Sequence, residues 1–80
     1  MKIKVLTAKE KIFEEQASEV VLPGEDGEFS VQDFHQPCIY RLRQGRLRIV
    51  LGKDKKDEFL AIKKGVAHIG PLSMVVIAQI

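Results

Sequence analysis

The alternation of apolar with polar or charged residues, at a period of two, constrains this sequence more than any other feature. It is clearest where Leu47, Ile49 and Leu51 alternate with Arg46 and Arg48. Because successive side chains of a strand point to opposite faces of a sheet, such a segment buries one face and exposes the other. The same alternation recurs at residues 2–5, 28–32 and 38–43. The sequence therefore predicts antiparallel strands in an all-β fold.

Turn signals separate the alternating segments at short intervals. Gln44-Gly45 predicts a tight hairpin turn, and residues 52–57 predict the loop of a second hairpin. Residues 8–18 are not predicted to form a helix, because they lack the i, i+3, i+4 apolar continuation of an amphipathic face. Together the signals predict about eight to ten short strands in an antiparallel β-sandwich or small barrel, with the sandwich preferred. Further reversals are predicted at 63–65 and 70–71.

The phase of the alternation also predicts which residues meet in the interior. The apolar members of each segment should face one another between two sheets. In the apolar last strand, Val75 and Ile77 are assigned to the interior. The predicted core comprises Ile3, Val5, Val20, Leu22, Phe29, Leu42, Leu47, Ile49, Leu60, Ile62, Val75 and Ile77.

The length and composition indicate one small domain that covers residues 1–80. No apolar run approaches the roughly 20 residues of a membrane span, and the amino terminus lacks the features of a secretory signal. The single cysteine excludes an internal disulfide and fits a reducing compartment, which predicts a cytosolic protein. A chain of this length buries only about 60% of its unfolded surface, so a permanent partner would stabilise it.

An acidic tip is the strongest sign of an interaction surface. Pro23 can preset a turn, and Gly24 and Gly27 can adopt a positive φ. The carboxylates lack the alternating Asp ladder and distant Glu of a calcium loop, so no metal site is predicted. The tip is either a solvated turn or a rigid docking element for a positive or polar partner, and the Pro-Gly pair favours docking. The tip comprises Glu25, Asp26, Gly27 and Glu28.

Histidine and cysteine give little evidence of catalysis. His35 and Cys38 lie three positions apart, so on one strand they would face opposite ways unless Pro37 bends the chain. No neighbouring Asp, Asn or Ser completes a triad, and Cys38 falls in phase with apolar positions, which predicts a buried structural thiol. His35 and His68 lack metal-ligand spacing. The sequence predicts no catalytic residue and no cofactor.

Four arginines form a basic stripe around the predicted hairpin turn. A small barrel with such a stripe could bind nucleic acid through phosphate contacts. The chain has no Trp and no cluster of aromatic residues for stacking, and its formal net charge is only +2. Nucleic acid is therefore not the predicted partner, although a nucleic-acid- or ligand-binding β-barrel stays the alternative. The stripe comprises Arg41, Arg43, Arg46 and Arg48.

Six short pieces, in order and with matching gaps, resemble the amino-terminal domain of the epsilon subunit of F-type ATP synthases, which is the delta subunit in mitochondria. The resemblance covers nearly the whole chain. The pieces are Ile3–Ala8 with Phe13, Leu22-Pro23-Gly24 with Gly27-Glu28-Phe29, His35-Gln36-Pro37, Gly45–Ile49, Phe59–Ala67 and Val75-Val76-Ile77.

The resemblance implies a flattened sandwich of about ten strands in a non-catalytic rotor subunit. Such a subunit couples rotation of the gamma subunit to ion translocation through the c-ring. By position, the acidic tip would face the c-ring, while His35 and Tyr40 would contact gamma. The resemblance also implies a peripheral location on the cytoplasmic face of the cell membrane, held there only through the complex.

The chain departs from the family pattern at several positions. Phe34 stands where the family usually has Gly, Gln44 replaces a common Pro, and Lys64 replaces the first of two glycines. Cys38-Ile39 replaces a Leu-Leu pair. Family members usually continue into a two-helix hairpin that inhibits hydrolysis or binds ATP. Because the printed sequence ends at Ile80, neither property is expected of these residues.

Overall fold

The computed structural model describes all 80 residues and contains nine strands and no helix. The predicted all-β class and strand number are therefore confirmed. Residues 8–18, which are not predicted to be helical, contain the second strand. The strands are β1 (Lys2–Leu6), β2 (Lys11–Gln16), β3 (Glu19–Gly24), β4 (Gly27–Val31), β5 (Cys38–Leu42), β6 (Gly45–Val50), β7 (Glu58–Ile62), β8 (Lys64–Ile69) and β9 (Ser73–Gln79).

The strands form one hydrogen-bonded path that curls until its two halves face each other. One half has the order β2-β1-β9-β8-β5, and the other consists of β3, β4, β6 and β7. The halves join where Gly24 of β3 pairs with Leu42 of β5. All pairings are antiparallel except that of β1 with β9, which is parallel. The result is the sandwich architecture that the alternation predicts.

A single apolar core fills the space between the halves. No polar or charged residue is buried in it. Most predicted core positions are confirmed, and Phe29 and Leu60 pack against the core while partly exposed. The core residues are Met1, Ile3, Val5, Ala17, Val20, Leu22, Val31, Leu42, Leu47, Ile49, Ile62, Ala67, Ile69, Met74, Val76 and Ala78.

The predicted phase of the last strand is wrong. Val76 is fully buried, whereas Ile77 is 47% exposed and Val75 is only partly buried. The reason lies in the neighbours of β9, because Val76 stands opposite Val5 of β1 and Ala67 of β8, both of which face the core. Residues 74–78 are apolar on both faces, so only the polar ends of the strand, Ser73 and Gln79, mark the outer face.

The predicted hairpin at Gln44-Gly45 is also wrong. Strands β5 and β6 do not pair, because β3 lies between them in the sheet order. The chain instead crosses from one half to the other at this point. Lys63 marks a second crossing, since β7 pairs with β6 while β8 pairs with β5 and β9. The hairpins β6–β7 and β8–β9 are confirmed at the predicted loops.

Candidate functional site

The acidic tip is the turn of the β3–β4 hairpin. Gly24 stands opposite Gly27, so Glu25 and Asp26 form a two-residue loop with both side chains exposed. Gly27 has a φ of +134°, as predicted for this position. The turn roles predicted for Pro23 and Gly24 are wrong, because both residues lie inside β3 and are buried. Gly24 is required there for space, since a Cβ would lie 2.6 Å from the carbonyl oxygen of Gly27.

Backbone hydrogen bonds tie the base of the tip to the body of the domain. The amide of Glu25 donates to the carbonyl oxygen of Arg41 at 3.0 Å. The amide of Arg43 donates to the carbonyl oxygen of Pro23 at 2.9 Å. Neither loop carboxylate takes part in a salt bridge. The tip is therefore held in place while its negative charges stay available to a partner.

Tyr40 lies beside the acidic tip. Its ring centroid is 4.5 Å from that of Phe29, and the side chain is 42% exposed. The two rings line a shallow depression of about 420 Å³ together with the tip, Ile39 and Arg41. An aromatic ring with a polar end and an acidic loop thus share one surface, which is suited to a partner that carries both apolar and basic groups.

His35 lies in the loop after β4 and contacts Cys38. Its Nδ1 is 3.7 Å from Sγ of Cys38 and 2.7 Å from the carbonyl oxygen of Gln36. A carbonyl can only accept, so Nδ1 carries the proton and donates it to Gln36. That nitrogen is therefore not a base for the thiol. No cluster of three or more His, Cys, Asp or Glu side chains could hold a metal ion.

His35, in the loop before β5, and Tyr40, within β5, lie near each other along this strand. His35 touches Cys38 at the start of the strand, and Tyr40 follows two residues later. Alternate residues of a strand share a face, so both predicted gamma contacts lie along one side of β5. Cys38 is only partly buried, which differs from the buried thiol predicted for it.

Phe34 is a feature that the alternation does not reveal. It is the only non-glycine residue with a positive φ, at +68°, and its side chain is 80% exposed. Its amide donates to the carbonyl oxygen of Pro71 at 2.6 Å, which fixes the loop against the β8–β9 turn. The only sequence signal of this positive φ is that the family usually has Gly where this chain has Phe34. Gly adopts this backbone conformation without a steric penalty.

The predicted stripe of four arginines is divided between two surfaces. Arg41 lines the depression beside the acidic tip, whereas the other three line a second depression on the outer face of β3, β6 and β7. The separation follows from the position of β3 between β5 and β6. Nε of Arg48 is 2.8 Å from Oδ2 of Asp57, and the guanidinium carbon of Arg46 is 4.7 Å from the centroid of Phe59.

No helix in the structure has the length and apolar character needed to cross a membrane. The family model described as the β-sandwich domain of the ATP synthase delta/epsilon chain matches residues 1–80. The chain belongs to this family. The family assignment confirms the resemblance inferred from the six sequence pieces.

Relatives of this family include ATP synthase epsilon chains from two bacteria. The chain from Herminiimonas arsenicoxydans is 37% identical over 79 residues, which cover 99% of this chain and 56% of that one. The chain from Janthinobacterium sp. (strain Marseille) has the same identity and the same coverage. This chain therefore spans about half the length of these epsilon chains.

Two solved structures share the fold. A chain in the central stalk and c-ring of Tetrahymena thermophila mitochondrial ATP synthase matches with a TM-score of 0.80 at 12% identity. The match covers all of this chain and 63% of that one. A chain in Euglena gracilis mitochondrial ATP synthase matches with a TM-score of 0.85 at 19% identity, covering 95% of this chain and 48% of that one.

Proposed function

We propose that this domain belongs to a non-catalytic rotor subunit of an F-type ATP synthase. In this role it connects rotation of the gamma subunit to ion translocation through the c-ring. The observation that carries the proposal is the family match over residues 1–80, together with relatives named ATP synthase epsilon chain. The domain acts at the cytoplasmic face of the cell membrane, where the complex holds it.

The acidic tip is the proposed contact with the c-ring. Glu25 and Asp26 are exposed and unpaired, and Glu28 is exposed on the adjoining strand β4. Backbone bonds hold the tip to β5, so a partner meets a preformed surface and little ordering entropy is lost. Positive charge on the c-ring loops that face the tip would fix how the two surfaces align.

His35 and Tyr40 are the proposed contacts with the gamma subunit. They lie along one side of β5, with Tyr40 between His35 and the acidic tip. Tyr40 presents a half-exposed ring, which is a side chain that contributes strongly at protein interfaces. The position of Tyr40 next to the acidic tip supports the proposal, because a rotor subunit that touches both partners needs two contact surfaces.

Co-purification with the gamma subunit tests the assignment directly. Tagged gamma from the same organism should retain the wild-type domain on an affinity column. The variant His35→Ala with Tyr40→Ala should be retained less, while Lys53→Ala with Lys55→Ala, on the β6–β7 loop, should behave as wild type. Failure of gamma to retain the wild-type domain would contradict the proposed function.

Charge reversal at the tip tests the c-ring contact separately. Asp26→Lys with Glu28→Lys should reduce ATP-driven ion pumping in inverted membrane vesicles, while ATP hydrolysis continues. Exposed carboxylates contribute little to folding, so the thermal midpoint should change little. Glu15→Lys with Asp54→Lys is the control, because both residues are exposed and lie outside the tip. Unchanged pumping in the tip variant counts against this contact.

A further inference from the structure

The outer face of β3, β6 and β7 carries a basic depression whose arginines the rotor proposal does not use. Its volume is about 500 Å³, and Arg43, Arg46 and Arg48 line it together with Phe59. Pair registers place Val21, Arg48 and Phe59 in one row across the three strands. Three guanidinium groups from one short stretch of chain thus converge on a single surface, here called the arginine face.

Two of these guanidinium groups are held in position. Arg46 stacks on Phe59, with its guanidinium carbon 4.7 Å from the ring centroid. Arg48 donates from Nε to Asp57 at 2.8 Å, which leaves its two terminal nitrogens available. A planar guanidinium fixed in this way loses less side-chain freedom when it binds an anion. The arginine face is therefore partly preorganised.

Two of the three arginines of this face have no ion-pair partner within the domain. Arg43 and Arg46 take part in no salt bridge, and Arg48 has only the one with Asp57. Glu28 also lines the depression but is not within salt-bridge distance of any of the three arginines. A negatively charged partner would therefore be electrostatically complementary to this surface.

The spacing of the arginines matches an extended polypeptide. Arg46 and Arg48 lie two residues apart on β6, so their side chains leave the same face about 7 Å apart. Carboxylates at alternate positions of an extended chain have the same separation. The arginine fork binds a carboxylate through two parallel hydrogen bonds, which gives such a pairing specific geometry.

We propose that the arginine face binds an extended acidic segment of a polypeptide partner, with carboxylates at alternate positions. Nucleic acid is the poorer fit, because Phe59 is the only aromatic ring in the depression and Arg46 already stacks on it. One ring that is already stacked is a poor platform for successive bases. The proposal does not rest on the rotor function, since it uses neither the tip residues Glu25 and Asp26 nor His35 and Tyr40.

A fluorescein-labelled nonapeptide of alternating Glu and Ser is the probe, measured by fluorescence anisotropy in low-salt buffer. Two exposed charge pairs together should account for about a tenfold difference in affinity. We therefore expect Arg43→Gln with Arg46→Gln to weaken binding about tenfold. Lys63→Gln with Lys64→Gln removes the same charge at the second crossing and should leave binding within about twofold.

Three further measurements complete the test. Amide chemical-shift changes on adding the peptide should concentrate at residues 43–48 and 59, and a nonapeptide of alternating Gln and Ser should not bind. A twelve-residue oligonucleotide should bind more weakly than the acidic peptide. The proposal is overturned if the acidic peptide does not bind, if both double variants lose affinity equally, or if the oligonucleotide binds more tightly. Thermal unfolding of each variant confirms that it is folded.

Discussion

A Cβ placed on Gly45 would lie 2.8 Å from Cβ of Pro23. This close approach occurs where the chain crosses from one half of the sandwich to the other, with β3 lying between β5 and β6. The amide of Arg43 donates to the carbonyl oxygen of Pro23, so the crossing is bonded to β3 as well as packed on it. Only a hydrogen atom fits at this position of β6 without moving the backbone.

Gly45→Ala should therefore destabilise the domain. Overpacking of a close contact costs about 2 kcal/mol, which we expect as a decrease in the free energy of unfolding measured in urea. Gly70→Ala is the control, because a Cβ there would lie 3.5 Å from the carbonyl oxygen of Ser73, an ordinary contact distance. Equal losses of stability in the two variants would show that the backbone at the crossing can move to accommodate the added methyl group.

Phe34→Gly should stabilise the domain. A side chain at φ +68° carries a steric penalty of about 1 kcal/mol, and the ring is 80% exposed, so its removal costs little packing. We expect an increase of about 1 kcal/mol in the free energy of unfolding. Phe34→Ala separates the causes, because it removes the ring but retains the Cβ and should leave stability nearly unchanged. A loss of stability in Phe34→Gly would contradict the steric penalty inferred for Phe34.

The two single variants Met74→Ala and Ile77→Ala, compared with each other, test which face of β9 points into the core. Met74 is 1% exposed within the core, and its truncation should cost about 2–5 kcal/mol through lost burial and the cavity left behind. Ile77 is 47% exposed and faces outward, so its truncation should cost only about 0.5 kcal/mol. Denaturation with urea measures both. A larger loss of stability for Ile77→Ala than for Met74→Ala would instead support the phase predicted from the sequence.

Glu14 should make the stability of the domain depend on acidic pH. Hydrogen bonds from Lys11 and from Lys2, the latter at 2.8 Å, lower the pKa of this carboxyl from 4.5 to about 2. The unfolded state therefore binds more protons between these values, and the stabilisation falls as the pH drops from about 4.5 towards 2. Glu14→Gln should lower the thermal midpoint at pH 6, and the difference from wild type should shrink as the pH approaches 2. A difference that is constant over this range would contradict the lowered pKa.

The strands that alternate clearly could be predicted from sequence because one face of each is polar. Leu47 and Ile49 are fully buried, and the arginine that precedes each of them is exposed, as the period of two requires. The phase of β9 is harder to predict, because residues 74–78 are apolar on both faces and only Ser73 and Gln79 at its ends mark the outer face. Strand β1 is distant in sequence, so the local pattern does not record its register with β9.

Connections between strands were harder to predict than the strands. A reversal at Gln44-Gly45 looks the same in sequence whether the next strand pairs with the previous one or crosses to the other half. The acidic tip was recognisable because its charges are consecutive and Gly27 provides the positive φ. The arginine face was only partly visible, because Phe59 and Asp57, which hold two of its arginines, come from the next strand and its loop.

Strand β3 has a mechanical consequence for the acidic tip. It pairs with β4 from Val20 to Gly24, with β6 over Glu19–Val21 and with β5 at Gly24, so β3 and β5 are the two strands that join the halves of the sandwich. A force applied at Glu25 and Asp26 along β3 loads these hydrogen bonds together in shear instead of breaking them one after another. β3 passes this load to its own half through β4 and β6, and to the other half through its short pairing with β5. A displacement of the loop therefore reaches both halves of the sandwich through the hydrogen bonds of β3.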